Sequence, residues 1–335
     1  MEDTAAPRVS IIMPAFNAAS CIGESVASVQ AQTFADWELI IIDDGSDDDT
    51  DSIALEFSRH DSRIRVLPQE VNSGLPARVR NRGFATARGS LIALLDSDDI
   101  WLPDKLEKQV ALLDATPQAG AVCCLYSVFG DEERATIANR LLNHELQSPV
   151  RRHEMLRYCA FQTSTVLFRR EVLDTLGPMN ENPALRSVED YEFFIRMVHH
   201  FRVDRIPEQL VQYRIYPLGE SLSTETMQAG NERGWSLYTC LRKQGLLSRD
   251  ESRRFRAALH YEDAKDRLFH LREPFRQPLM RAVREGKAPV EALGMFSLCW
   301  LPSSALRFLL PRLLTLRNLT RRLRAWAASR ARASG

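Results

Sequence analysis

The segment Leu91-Ile92-Ala93-Leu94-Leu95 runs straight into Asp96-Ser97-Asp98-Asp99. A short, wholly apolar run closed by acids reads as a strand buried on both faces, as in a parallel sheet covered by helices. Such a strand carries the acids at its end to the carboxyl rim of the sheet, where open α/β folds place ligands. Carboxylates crowded in a sheltered site repel one another, and each raises the cost of ionising its neighbours. A hard divalent cation, Mg²⁺ or Mn²⁺, resolves that conflict by taking carboxylate oxygens together with substrate phosphates. One short stretch therefore predicts both a sheet and metal-assisted chemistry on a phosphorylated ligand.

The same punctuation recurs upstream. Val9 to Met13, ended by Pro14, reads as a first strand, and Ser20 to Gln32 as a helix with Ile22, Val26 and Val29 on one side. Glu38 to Ile42 is a second strand closed by Asp43-Asp44-Gly45-Ser46, and Ile53 to Phe57 lie in a helix with an acidic start. Ile64 to Leu67 is a third strand, and Ala77 to Ala87 a helix leading to Leu91. The βαβαβαβ order with short connections predicts an α/β fold with a doubly wound, mostly parallel sheet. Further on, Pro103 to Leu113 and Val188 to His199 carry helical spacing, while Ala121 to Phe129 and Ser164 to Phe168 read as strands. Strand signals stop beyond about Thr224. The expected division is a catalytic body over residues 1–222, with the ligand site in 8–115, then a helical region over 223–335.

The net charge of zero hides an asymmetry. Residues 292–335 hold eight arginines and no acid, so the preceding part carries 36 basic and 44 acidic residues. Leucines, Phe308 and Trp326 lie among those arginines, which suits an amphipathic helix on anionic lipid. A helical bundle with a solvated basic end fits equally well. Pro302, Arg307, Pro311 and Arg312 interrupt the apolar runs, so a spanning helix is not expected. No nucleic-acid-binding motif accompanies the basic end, and a nucleic-acid partner is not expected. The six cysteines form no CxxC pair, and no leader pattern comes after Met1. Both fit a cytoplasmic protein with reduced thiols.

Several candidate groups have bland explanations beside functional ones. Asp43 to Ser46 has the composition of any turn, but a second acidic strand end at Asp96 would share its rim. Arg80 next to Asn81 precedes that rim and is a better phosphate or base contact than Arg88, although most arginines simply face solvent. Glu189-Asp190 opens a helix, where acids are common caps; a general base there is the functional alternative. There is no Ser-His-Asp order, Walker-type loop or GxGxxG. A sugar-phosphate nucleotidyltransferase would call for a Gly-rich basic loop after strand one, and Pro14 to Ser20 lacks it. A receiver-type signalling domain would be about half as long. A non-catalytic nucleotide-sugar binder remains a further alternative.

Taken in register, these segments resemble the family 2 glycosyltransferases of the GT-A fold. The matching pieces are Val9 to Asn17, Gln32-Thr33-Phe34, Trp37 to Ser46, Asn72 to Leu75, Arg80 to Gly83, Leu95 to Asp99 and Glu189-Asp190, spread over roughly residues 8 to 216. The resemblance implies an inverting enzyme that moves a sugar from a nucleoside-diphosphate sugar, preferably UDP-linked and bound within 8–115, to a hydroxyl of a saccharide or lipid-linked acceptor met by residues 116–222. Bacterial cell-surface polysaccharide or glycolipid assembly would be its setting, with contact to the inner face of the membrane through the tail. Pro14, Ala15, Phe16, Asn17 and Asp44 would hold base and ribose. Arg80 would serve base or diphosphate, Asp96 with Ser97 the nucleoside, Asp98 the Mn²⁺ or Mg²⁺, and Asp190 would be the catalytic base. Many relatives carry a His where this chain has Tyr216. Either the cation keeps fewer protein ligands here, or the loop with the insertion Leu218-Gly219-Glu220 aligns differently.

Overall fold

A computed structural model describes residues 6–141, 148–156, 159–216, 222–269, 278 and 280–281. The arginine-rich stretch from residue 292 and the insertion at 218–220 lie outside the described residues. The described chain forms two compact units divided between Leu246 and Leu247.

In the first unit, strands β1 (Val9–Ala15), β2 (Trp37–Asp43), β3 (Ile64–Pro68) and β4 (Leu91–Leu94) alternate with helices α1 (Ile22–Gln30), α2 (Thr50–His60) and α3 (Pro76–Thr86). Then come β5 (Ile100–Trp101), α4 (Lys105–Ala115), β6 (Ala119–Gly130), α5 (Glu132–Leu141) and α6 (Arg152–Met155). A 3-10 turn at Thr163–Thr165 leads into β7 (Leu167–Arg169), α7 (Arg170–Leu176), α8 (Glu189–His200), β8 (Arg202–Ile215) and α9 (Leu222–Lys243). Helix α10 (Arg249–Phe269) lies in the second unit.

The strands form one sheet in the order β3-β2-β1-β4-β7-β6-β8-β5. β1, β2, β3 and β4 run parallel, β7 is antiparallel to both of its neighbours, and β8 runs parallel to β6. Strand β2 is buried throughout and β4 likewise, as their unbroken apolar runs predict. Helix α3 sits close on this half-sheet: a Cβ on Gly83 would come 2.5 Å from the Ile12 side chain.

The first half-sheet keeps to the expected pattern, but the second differs in detail. The strand expected over Ser164 to Phe168 starts only at Leu167, because Thr163–Thr165 turns as a 3-10 helix. β8 carries no apolar run to announce it. Two of its charges are nevertheless buried: Asp204 and Arg205 are 3% and 4% exposed, Arg202 pairs with Asp204, and Arg205 donates to the Ala160 carbonyl. Helix α9 belongs to the first unit, where Leu237, Tyr238 and Leu241 are buried.

Candidate active site

The carboxyl ends of β1 and β2 are laced together. Asn17, at φ 48°, accepts the Asp47 N–H on Oδ1 and donates its own N–H to Ser46 Oγ. Asn tolerates this left-handed backbone better than most residues. Asp43 accepts from the Ser46 backbone and hydroxyl. The buried Asp44 carboxylate accepts from Gln69 Nε2 at 2.8 Å and from the Ser73 N–H and hydroxyl at 3.0 Å each. Gly45, at φ +72°, passes so near the next loop that a Cβ would lie 2.7 Å from the Asn72 nitrogen. Pro14, Ala15 and Phe16 line up just behind, with Ala15 buried and the other two half-buried.

The turn after β4 separates its three acids. Asp96 receives Arg80 Nη2 at 2.7 Å. Asp99 is turned inward, where it accepts the Ser164 hydroxyl and, at 3.0 Å, the Arg214 N–H. Asp98 faces the Tyr216 hydroxyl, with Cys21 and Arg214 nearby. The turn's backbone is pinned as well: Ser25 Oγ donates to the Ser97 carbonyl and Arg214 Nε to that of Asp98. Burial and the Asp96 charge push Asp98 up to about 6, even though Tyr216 hydrogen-bonds it. Burial, Asp98 and Asp96 raise Asp99 as well.

Across the rim, Asp190 lies in the first turn of α8. Its Oδ2 accepts the Thr163 hydroxyl at 2.8 Å and its Oδ1 the Tyr191 N–H at 2.7 Å. The neighbouring Glu189 is buried and accepts Arg80 Nη1 at 3.1 Å. Burial and Asp190 raise the Glu189 carboxyl, and Arg80 opposes them. Arg80 itself is 6% exposed. Burial works against its charge, but Asp96, Glu189 and Asp190 outweigh it and hold the guanidinium firmly protonated.

A ring of contacts therefore joins the two sides. Arg80 links Asp96 to Glu189, next to Asp190; in return, the Asp96 N–H donates to Ser164 Oγ and the adjacent Thr163 holds Asp190. The structure sets Arg80 against Asp96 and within the field of Asp190, and Asp98 within the field of Asp96. Arg80 is buried between Asp96 and Glu189, whereas Arg88 pairs with Glu38 near the start of β2. Sequence reasoning missed Glu189 as an ion-pair partner, Arg214, and the roles of Thr163 and Ser164. Hydroxyl residues in a short polar turn carry no signal that separates them from any other loop.

Among the described residues, no group of three His, Cys, Asp or Glu side chains is arranged to hold a metal unaided. A carboxylate at Asp98, with Asp96 behind it, is the donor set that Mg²⁺ or Mn²⁺ uses when substrate phosphates complete the shell.

Residues 10–177 match glycosyl transferase family 2. A 105-residue stretch is 50% identical to WfgD of Escherichia coli, a UDP-Glc:alpha-D-GlcNAc-diphosphoundecaprenol beta-1,3-glucosyltransferase, and spans 31% of this chain and 40% of that protein. TuaG of Bacillus subtilis, named as a putative teichuronic acid biosynthesis glycosyltransferase, is 31% identical over 235 residues, covering 69% of this chain and 87% of TuaG. Among solved structures, Staphylococcus aureus TarS in complex with UDP-GlcNAc superposes with a TM-score of 0.62 at 18% identity, covering 85% of this chain and 82% of that one. The mannosyltransferase PcManGT of Pyrobaculum calidifontis, in complex with GDP-Man and Mn²⁺, gives 0.56 at 20% identity, covering 92% and 81%. These structural likenesses establish the GT-A arrangement of sheet and helices. The chain belongs to glycosyl transferase family 2.

Proposed function

We propose that this glycosyltransferase moves a sugar from a UDP-sugar to a hydroxyl of a lipid-linked saccharide, with inversion at the anomeric carbon. The observation that carries this reading is the ring joining the acidic turn after β4 to Asp190 through Arg80 on one side and Thr163-Ser164 on the other. Such a ring would keep a cation-binding carboxylate and a separate base in a fixed relation to each other. Asp98 would hold Mn²⁺ or Mg²⁺, which supplies positive charge against the phosphate oxygens of the leaving nucleoside diphosphate. The Pro14 to Asn17 turn and Asp44 shape the nucleoside side. Arg80 acts through Asp96, whose carboxylate it fixes at the edge of that pocket, with Ser97 beside it. Asp190 takes the proton from the acceptor hydroxyl as the new bond forms, so no covalent nucleophile is needed.

UDP and a diphospholipid acceptor are favoured by the 50% identity shared with WfgD over 105 residues. The arginine-rich composition of residues 292–335 supports peripheral contact with anionic lipid beside such an acceptor. No helix among the described residues is long and apolar enough to cross a membrane. The direct test supplies UDP-glucose, UDP-GlcNAc and UDP-galactose in turn, with Mn²⁺ or Mg²⁺ and a GlcNAc-diphospholipid, and monitors UDP release. Acceptor-dependent release with one donor is the expected result. Absence of release with every donor would contradict the reading. Flotation on anionic liposomes with and without residues 292–335 tests the tail, and equal recovery of both forms would remove its membrane role.

A further inference from the structure

We infer that Thr163 is a positioning residue for the base, held in place by a turn that also braces the acidic rim. The inference rests on the reading of Asp190 as base. Thr163, Ser164 and Thr165 form one 3-10 turn just ahead of β7, against β4, β6 and β8, and all three are buried. Thr163 Oγ1 donates to Asp190 Oδ2 at 2.8 Å. Ser164 Oγ accepts the Asp96 N–H at 3.1 Å and donates to Asp99, the acid that also holds Arg214 of β8. One residue of the turn thus grips the base and the next grips the acidic turn. With Oδ2 taken by Thr163 and Oδ1 receiving the Tyr191 N–H, the Asp190 carboxylate plane is fixed by two donors. Free rotation about χ2, which an aspartate at a helix start otherwise has, is removed.

The turn has its own support, independent of the Thr163 hydroxyl. Trp101 Nε1 donates to the Ser164 carbonyl at 2.9 Å and Gln109 Nε2 to the Thr165 carbonyl at 2.8 Å. Beneath them, the fully buried Lys105 donates to Gln109 Oε1 at 2.7 Å and stacks over the Trp101 ring at 3.7 Å. Replacing Thr163 with valine therefore deletes the contact to Asp190 while leaving the turn's backbone bonds in place. Misplacing a general base by a fraction of its hydrogen-bond reach forfeits much of its share of the rate, which is about 10²–10⁴-fold for proton transfer.

The test compares Thr163→Val, Thr163→Ser, Asp190→Asn and the double variant Thr163→Val/Asp190→Asn in full-length protein. The measurements are transfer from the active UDP-sugar and calorimetric binding of UDP with Mn²⁺. Thr163→Val is expected to lower kcat by about 10–100-fold, a part of the general-base contribution. UDP affinity should stay within about 2-fold, and Thr163→Ser should restore most of the turnover, since its hydroxyl can donate to Asp190 in the same way. In the Asp190→Asn background Thr163→Val should cost nothing further, because residues acting through one group are not additive. Three outcomes would overturn the inference: wild-type turnover in Thr163→Val, an equal loss in UDP affinity, or a full additional loss in the double variant. Wild-type turnover in Asp190→Asn would instead refute the reading of the base, and so separates the two failures.

Discussion

The two halves of the sheet hold their acids in different ways. In the half built by β1 to β4, Asp43, Asp44 and Asp96 sit at strand ends and are tied by loop hydroxyls, backbone N–H groups and Arg80. In the half built by β6, β7 and β8, Asp190 starts a helix and is held from outside that helix by the Thr163 hydroxyl. The first arrangement is a cradle whose acids are each held by neighbouring loop and side-chain groups. The second holds a half-buried carboxylate by two neutral donors, one on each oxygen, and by no ion pair among the described residues, which suits a group proposed to accept a proton and release it. Under the proposed function, donor binding and proton transfer fall to separate halves of the sheet, joined at Arg80 and at the Thr163-Ser164 turn.

The strongest way to break that division is to cut its joint. Arg80→Met leaves Asp96 and Glu189 without their buried counter-charge, and such losses cost about 3–5 kcal/mol. Thermal or denaturant unfolding should show it; a change below about 1 kcal/mol would mean that the halves stand independently. A smaller effect should fall on the donor half alone. Gly45→Ala forces an alanine to φ +72° and against the backbone of Asn72, for about 1–3 kcal/mol of strain. UDP affinity should fall with it, while transfer at saturating donor stays near wild type; unchanged UDP affinity would detach this loop from the nucleoside site.

The smallest effect concerns protons. Asp98 is raised to about 6 by burial and by Asp96, above its ordinary value of 3.8. In the metal-free protein the native state therefore keeps a proton that the unfolded chain has released. That contribution is complete below pH 3.8 and is lost as pH rises through about 6. Cation binding requires the ionised form. The rise in Tm on adding Mn²⁺ and UDP should therefore be about 5 °C or more at pH 7.5 and under about 2 °C at pH 5. An equal rise at both values would remove Asp98 from the cation site.

The contrast between the halves also marks what could be read from residues alone. Parallel strands buried on both faces must be apolar throughout, so β1, β2 and β4 stand out, and the acids closing them point to the rim. β8 was hidden because Arg202, Asp204, Arg205, Pro207 and Glu208 interrupt its pattern; its buried charges are met by the pairing of Arg202 with Asp204 and the bond of Arg205 to a carbonyl, among other contacts. Asp190 was legible as a motif partner, but Thr163 was not. A threonine's function here depends on a carboxylate that is 27 positions away in the chain. Arg80 shows the same limit in another form: the residue was singled out, while its burial between two acids emerged only from the fold.

The division of labour is tested most directly by measuring cation-dependent UDP binding and sugar transfer in parallel for Asp98→Ala and Asp190→Asn. Asp190→Asn should bind UDP with Mn²⁺ within about 2-fold of wild type and lose about 10²–10⁴-fold in transfer. Asp98→Ala should lose the cation dependence of UDP binding itself. Wild-type transfer by Asp190→Asn, or undiminished cation dependence in Asp98→Ala, would contradict the account.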